Sequence, residues 1–278
     1  MHKEVVLIAC KDQKGLIHQI TGVIARHGLN ITETKEFVDH AGDRFFMRIE
    51  FQGATKSEVL EKELTLILPP GATCQVRKQE KRKVLVFVSQ EPHCLGDLLL
   101  RHSAGELKAQ ILAVVSQHET CRELCDRFDL PYHFIPVKNL TREEHEEEIV
   151  KIIEPYSVDY MILARYMRIF SKSFVNRYPQ RILNIHHSFL PAFVGKNPYE
   201  QAYERGVKII GATAHIVTES LDEGPIITQS VIDVNHSITP TEMAHLGQDV
   251  EKIVLARATD LILEDRVLVD GRRSIIFE

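Results

Sequence analysis

The chain has 278 residues, 44% of them hydrophobic, and 34 basic against 39 acidic side chains leave a net charge of −5. That apolar content suffices for one or two cored domains, and the acidic balance argues against a nucleic-acid or anionic-membrane surface. No apolar run approaches the roughly eighteen residues of a membrane span, and Met1-His2-Lys3-Glu4 lacks the layout of a secretory leader, so a cytoplasmic protein is expected.

The first 80 residues read as a small separate unit. Glu4 to Cys10 is an apolar strand, and Asp12-Gln13-Lys14-Gly15 a loop. Leu16, Ile20, Val23 and Ile24 make a helical stripe that Gly28 ends. Ile31 to Val38 and Phe45 to Phe51 form a hairpin, Ser57 to Leu68 a helix stopped by Pro69-Pro70, and Thr73 to Lys78 a last strand. The order β-α-β-β-α-β is a ferredoxin-like split unit.

Glu80-Lys81-Arg82-Lys83 is a charged hinge, after which the pattern changes. Apolar strands are expected at Val84 to Val88, Gln110 to Ser116, Tyr132 to Val137, Tyr160 to Ala164 and Ile182 to His186. Helices alternate with them at Leu95 to Arg101, Cys121 to Phe128, Arg142 to Glu154 and Lys172 to Arg177. Continuous apolar strands alternating with helices define an α/β, doubly wound, mostly parallel sheet, whose site lies beyond the carboxyl ends of the strands. The acidic run Glu143 to Glu148 reads as the solvated face of its helix. Asp249 to Leu263 has helical periodicity, and Arg266 to Phe277 reads as a hairpin about Asp270-Gly271.

Five cysteines, Cys10, Cys74, Cys94, Cys121 and Cys125, are odd in number and scattered, which points to reduced thiols. Cys121 and Cys125, one helical turn apart, are read as helix packing. The histidines form no His-Glu-x-x-His pattern, so no metal is expected.

The chemistry concentrates in Leu183-Asn184-Ile185-His186-His187-Ser188-Phe189-Leu190-Pro191 and in Leu221-Asp222-Glu223-Gly224-Pro225. Alternation of apolar and polar residues places Asn184 and His186 on one strand face. Asp222 follows in a turn after a second apolar strand, which carries His215. An amide, an imidazole and a carboxylate at strand ends could act together on one carbonyl carbon. Each segment alone is ordinary strand-end or turn composition.

Together, from Asn184 to Gln229, they resemble the folate-dependent formyltransferase fold family; His186-His187-Ser188 is similar to the deformylase branch, which acts on 10-formyltetrahydrofolate. Asp12, Gly15-Leu16-Ile17 and Gly28-Leu29-Asn30-Ile31 make the first 80 residues resemble an ACT domain. The resemblance implies an ACT-like regulatory or oligomerisation domain over 1–80 and a formyltransferase-fold catalytic domain over 84–278. It implies Asn184, His186, Asp222 and, in support, His215 as catalytic residues. Pterin would be held near Met167, Arg168, Ile169 and Phe170 and by Thr218, Glu219, Leu221 and Gly224. Met167 and Phe170 are as readily plain core. An amino-acid effector would sit at Asp12, Gly15, Leu16, Asn30 and Ile31, with pairing of ACT units giving a homo-oligomer, dimer or tetramer. No cofactor is implied beyond the folate substrate. At position 196 the family pattern would have a small residue where this chain has Lys196.

Hydrolysis and transfer differ in the acceptor. Relatives that formylate a phosphorylated amine carry a glycine-rich loop after the first strand. Here Ser89-Gln90-Glu91-Pro92-His93-Cys94 holds an acidic residue and a proline, a poor phosphate cradle, so water is the expected nucleophile. His93 would line the acceptor space, and Cys94 is read as a small packed thiol. The alternatives are a formyltransferase to a small amine such as glycinamide ribonucleotide, and a non-catalytic folate or amino-acid sensor. Retention of Asn184, His186 and Asp222 together weighs against the sensor.

Overall fold

The computed structural model describes residues 3–192 and 198–278; Lys196 lies outside the described residues. Backbone contacts divide the chain into two compact units. The first comprises residues 1–80, 264–270 and 274–278, and the second residues 81–263 and 271–273. The last residues therefore group with residues 1–80.

In the first unit, β1 (Lys3–Lys11), β2 (Asn30–Asp39), β3 (Arg44–Gln52) and β4 (Thr73–Lys78) pair antiparallel in the order β2-β3-β1-β4. Helices α1 (Leu16–Arg26) and α2 (Ser57–Ile67) bury Leu16, Ile20, Val23, Leu60 and Leu64 against Val6, Ile8 and Cys10. The opposite face, Val5, Leu7, Ala9 and Phe46, packs on Ile275 and Phe277. These last two belong to and follow the C-terminal hairpin β12 (Val267–Asp270) and β13 (Arg273–Ile276). Both faces of β1 are thus covered, which is why its sequence is continuously apolar instead of alternating.

The second unit is a seven-stranded sheet in the order β11-β10-β9-β8-β5-β6-β7. The strands β5 (Arg82–Val88), β6 (Ala109–Ser116), β7 (Tyr132–Phe134), β8 (Tyr160–Leu163) and β9 (Ile182–His186) run parallel. β10 (Ile209–Ile216) pairs antiparallel with both β9 and β11 (Ile226–Asp233). Helices α3 (His93–Ser103), α4 (Arg122–Asp126), α5 (Arg142–Ile153), α6 (Lys172–Arg177), α7 (Pro198–Arg205) and α8 (Pro240–Leu263) complete it. The order reverses about β5, with β6 on one side and β8 on the other, so the carboxyl ends of β5 and β8 open a switch-point crevice.

Against the expected elements, β7 ends at Phe134 and not Val137, α4 is confined to Arg122–Asp126, and two further expectations change. α8 begins at Pro240, not Asp249, because Thr239 caps it in partnership with Glu242, whose carboxylate accepts from Thr239 N–H at 2.8 Å. The acidic run on α5 is not wholly solvated: Glu146 is buried and accepts the Ser171 N–H at 2.6 Å and the Ser171 hydroxyl. It thereby holds the N-cap of α6, while Glu143, Glu144, Glu147 and Glu148 stay exposed. No helix of the described residues is long and apolar enough to cross a membrane.

Candidate active site

β9 presents Asn184 and His186 on one face, and β10 supplies their cross-strand partners. Asn184 pairs with His215, and His186 with Thr213. Side chains directly opposite one another in an antiparallel pair lie within reach, and here Asn184 Nδ2 stands 3.1 Å from His215 Nε2. His215 Nδ1 lies 3.1 Å from the Ile216 carbonyl, which can only accept, so the ring's proton sits on Nδ1 and its Nε2 receives the Asn184 amide.

Asp222 arrives from the turn between β10 and β11. That turn is pinned by the Ile216 N–H donating to Pro225 O at 2.9 Å. A Cβ on Gly224 would lie 1.8 Å from the Ile216 carbonyl oxygen, so no side chain fits there. Asp222 itself has a left-handed φ of 56°, which aspartate tolerates better than most residues. Its Oδ1 stands 3.4 Å from His186 Nδ1 and 3.6 Å from His215 Nε2. Burial alone would raise the Asp222 carboxyl, but the His186 imidazole facing Oδ1 outweighs it and holds the group well below the usual carboxylate range. Asp222 is therefore an anion at neutral pH. His186 is buried, and among the described residues its Nε2 has no hydrogen-bond partner, which leaves that atom for a ligand.

His187 packs beside it, the two ring centroids 5.2 Å apart. Burial, with Arg165 and His186 nearby, pushes the His187 imidazole down to about 3, so this ring is neutral. The loop that follows is held by Thr213, whose hydroxyl donates to Ser188 O at 2.9 Å and accepts from Leu190 N–H at 3.0 Å.

The residues expected at the pterin end divide. Met167 and Ile169 are exposed after β8. Arg168 lines a cavity with Met167, whereas Phe170 stacks on Phe174 at 4.2 Å and packs on Phe87, giving it a core role. Leu221 is exposed, Thr218 donates to Ser220 O at 3.2 Å, and Glu219 accepts from Asn176 at 2.7 Å. In the first unit, Asp12 N–H donates to Asp43 O at 3.0 Å and Gly15 takes a left-handed φ of 86° at the start of α1. Leu16 is core, Ile31 is half-buried, and Asn30 is exposed at the start of β2.

His93 brings in a group that the sequence reading missed. Its Nε2 lies 2.8 Å from Glu251 Oε2, a carboxylate with no solvent exposure. Tyr199 donates to Glu251 Oε1 at 2.5 Å, and Arg165 Nε stands 3.4 Å from Oε2. Arg165 also forks onto Glu91 at 3.1 and 2.9 Å. A charged residue between Val250 and Val254 on a helix with a largely buried face was the available signal. Among the described residues, His93, Cys94 and Glu251 are the one group with metal-like spacing, ligand atoms within 4.8 Å of each other. Burial, reinforced by Glu251, pushes the Cys94 thiol well up, and Arg165 already compensates the carboxylate. The chemistry of this set is that of a hydrogen-bonded ion network.

Residues 82–259 match the family model for formyl transferases, and residues 5–65 that for ACT domains. Fold and site thus define a formyltransferase-fold enzyme with an N-terminal ACT domain. A formyltetrahydrofolate deformylase of Escherichia coli K12 is 48% identical over 99% of both chains. The crystal structure of a formyltetrahydrofolate deformylase from Pseudomonas syringae superposes with a TM-score of 0.95 at 38% identity, covering 100% of this chain and 95% of that one. A glycinamide ribonucleotide transformylase from Symbiobacterium toebii matches with a TM-score of 0.68 at 31% identity, over 71% of this chain and 95% of its own. The chain belongs to the formyltetrahydrofolate deformylase family.

Proposed function

We propose that the chain hydrolyses 10-formyltetrahydrofolate to formate and tetrahydrofolate. The observation that carries this reading is the meeting of Asn184, His186, His215 and Asp222 at the ends of β9 and β10, with His186 Nε2 unpartnered among the described residues. The formyl group on N10 is amide-like. Water attacks its carbon, the oxygen gains negative charge, and the C–N10 bond then breaks as N10 takes a proton, either one from His186 or, through the water relay, the one that Asp222 had accepted. Asn184 has a second amide N–H beyond the one given to His215, and His186 with a proton on Nε2 would offer another N–H; both would donate to the oxyanion. Asp222, an anion held between two imidazoles, would orient the attacking water and accept its proton as the tetrahedral intermediate forms.

The pterin would rest on backbone near Met167 and Arg168 and on the turn from Thr218 to Gly224, with Ile169 and Phe170 adjoining. The ACT domain would take an amino-acid effector near Asp12 and Gly15 and pair the chains into an even homo-oligomer. In the cytoplasm such an enzyme would balance one-carbon folate pools and supply formate for purine synthesis.

The deciding experiment mixes purified protein with 10-formyltetrahydrofolate and no amine acceptor, following formate and tetrahydrofolate together. Stoichiometric release of both is expected. Replacing Asp222 by Asn should lower kcat by about 10²–10⁴, the usual worth of general-base assistance, with folate binding retained. No release without an acceptor overturns the hydrolytic reading.

A further inference from the structure

Beyond the catalytic cluster, the switch-point crevice holds a second constellation. The loop after β5 is tied to the loop after β8: Ser89 N–H donates to Arg165 O at 3.2 Å, and Met167 N–H to Ser89 Oγ at 2.8 Å. Across this seam Arg165 grips Glu91 with Nε and Nη2, at 3.1 and 2.9 Å. Arg165 is 7% exposed, and its Nη1 is buried with no hydrogen-bond partner among the described residues. Arg165 and Arg168 line a cavity of about 340 Å³ together with Ser89, Glu91, Gln117 and His118. It sits at the carboxyl ends of parallel strands, where α/β sheets take ligands, and α3 begins directly after Pro92.

Two guanidiniums beside a helix start would ordinarily make an anion pocket. Here the chain supplies its own anion. Glu91 takes both hydrogen bonds of the Arg165 fork, and the second carboxylate, Glu251, faces Arg165 Nε at 3.4 Å and His93 Nε2 at 2.8 Å. Pro92 offers no N–H at the helix start. A phosphate brought to Arg165 would have to displace Glu91 from the same donors or sit against its charge.

We propose that Glu91 is a specificity residue, a built-in carboxylate that neutralises Arg165 and closes this cavity to phosphate-bearing formyl acceptors. This deepens the hydrolytic reading and rests on it: with the anionic acceptor shut out, water is the remaining nucleophile. Glu91 touches no reacting atom; it acts through Arg165.

The test compares full-length wild type, Glu91→Gln and Glu91→Asp by calorimetric titration with inorganic phosphate at constant ionic strength. Glu91→Gln removes the charge and should bind phosphate at least about tenfold more tightly than wild type, a gain that Glu91→Asp, which keeps the charge, should not show. Equal phosphate affinity in wild type and Glu91→Gln overturns the proposal, as does an equal gain in Glu91→Asp. Should Glu91→Gln fail to fold, Glu91→Ser serves, with the phosphate-induced rise in Tm as the readout. Formate release by wild type without acceptor is measured alongside. Its absence would sink the hydrolytic reading, whereas a phosphate result against Glu91 with release intact would sink this inference alone.

Discussion

Asn184 and His186 share a face because a strand repeats every two residues, and that much needs only the alternation in Leu183 to His186. The bond from Asn184 to His215 needs more, since it depends on the antiparallel register that sets these residues opposite one another. His187 shows what local pattern hides: next to His186 in the sequence, it is so buried, with Arg165 nearby, that its pKa is brought from 6.5 to about 3. The unfolded chain takes up a proton on this ring near 6.5, while the folded chain does not until about 3. The stability held by the neutral ring is therefore complete above pH 6.5 and falls as pH drops towards 3. His187→Asn removes that titration. Between pH 6.5 and 4.5, wild type should lose more stability than the variant, by up to about 1.4 kcal/mol per pH unit. Urea unfolding at two pH values checks it, and parallel losses would show that His187 does not carry the acid sensitivity.

At the scale of elements, most strands and helices were legible because apolar runs and stop residues coincide with their ends. α6 and β9 fall where the periodicity put them, and β1 differs by one residue at either end. The start of α8 was missed although Met243, Leu246 and Val250 already fall at helical spacing, because the polar Thr241, Glu242, His245 and Gln248 between them leave only a narrow apolar stripe. Its interior also contains a glycine with a packing reason. In a free helix, Gly→Ala would stabilise by about 1 kcal/mol. At Gly247, however, a Cβ would stand 2.1 Å from the Tyr199 hydroxyl, the group that donates to buried Glu251. Gly247→Ala should therefore reverse sign and cost about 1–3 kcal/mol, the range for overpacking a filled site. A stabilised variant in equilibrium unfolding would mean that Tyr199 can move aside without loss.

On the scale of the whole molecule, chain order and spatial grouping part company. The terminal hairpin was visible from Asp270-Gly271, but nothing local says which apolar surface it covers. The pattern of β1 carries a partial signal: Val5, Leu7 and Ala9 are as apolar as Val6, Ile8 and Cys10, so a second cover had to exist. That cover is the chain's own end. Ile275 and Phe277 close over Val5, Leu7 and Phe46, and Arg48, buried in the sheet, donates from Nε to Asp265 O at 3.1 Å. The N-terminal unit is then completed by residues almost two hundred positions downstream of its last strand. Phe277→Ala empties the centre of this contact, and Phe→Ala in a core costs about 3–5 kcal/mol. The loss should fall on the first unit. In calorimetric scans the transition of that unit moves to lower temperature while Asn184, His186 and Asp222, all in the second unit, keep their geometry. The kcat for formate release should accordingly change little at temperatures below the shifted transition. A variant that unfolds at the wild-type temperature would show that the hairpin adds no stability to the sheet it covers.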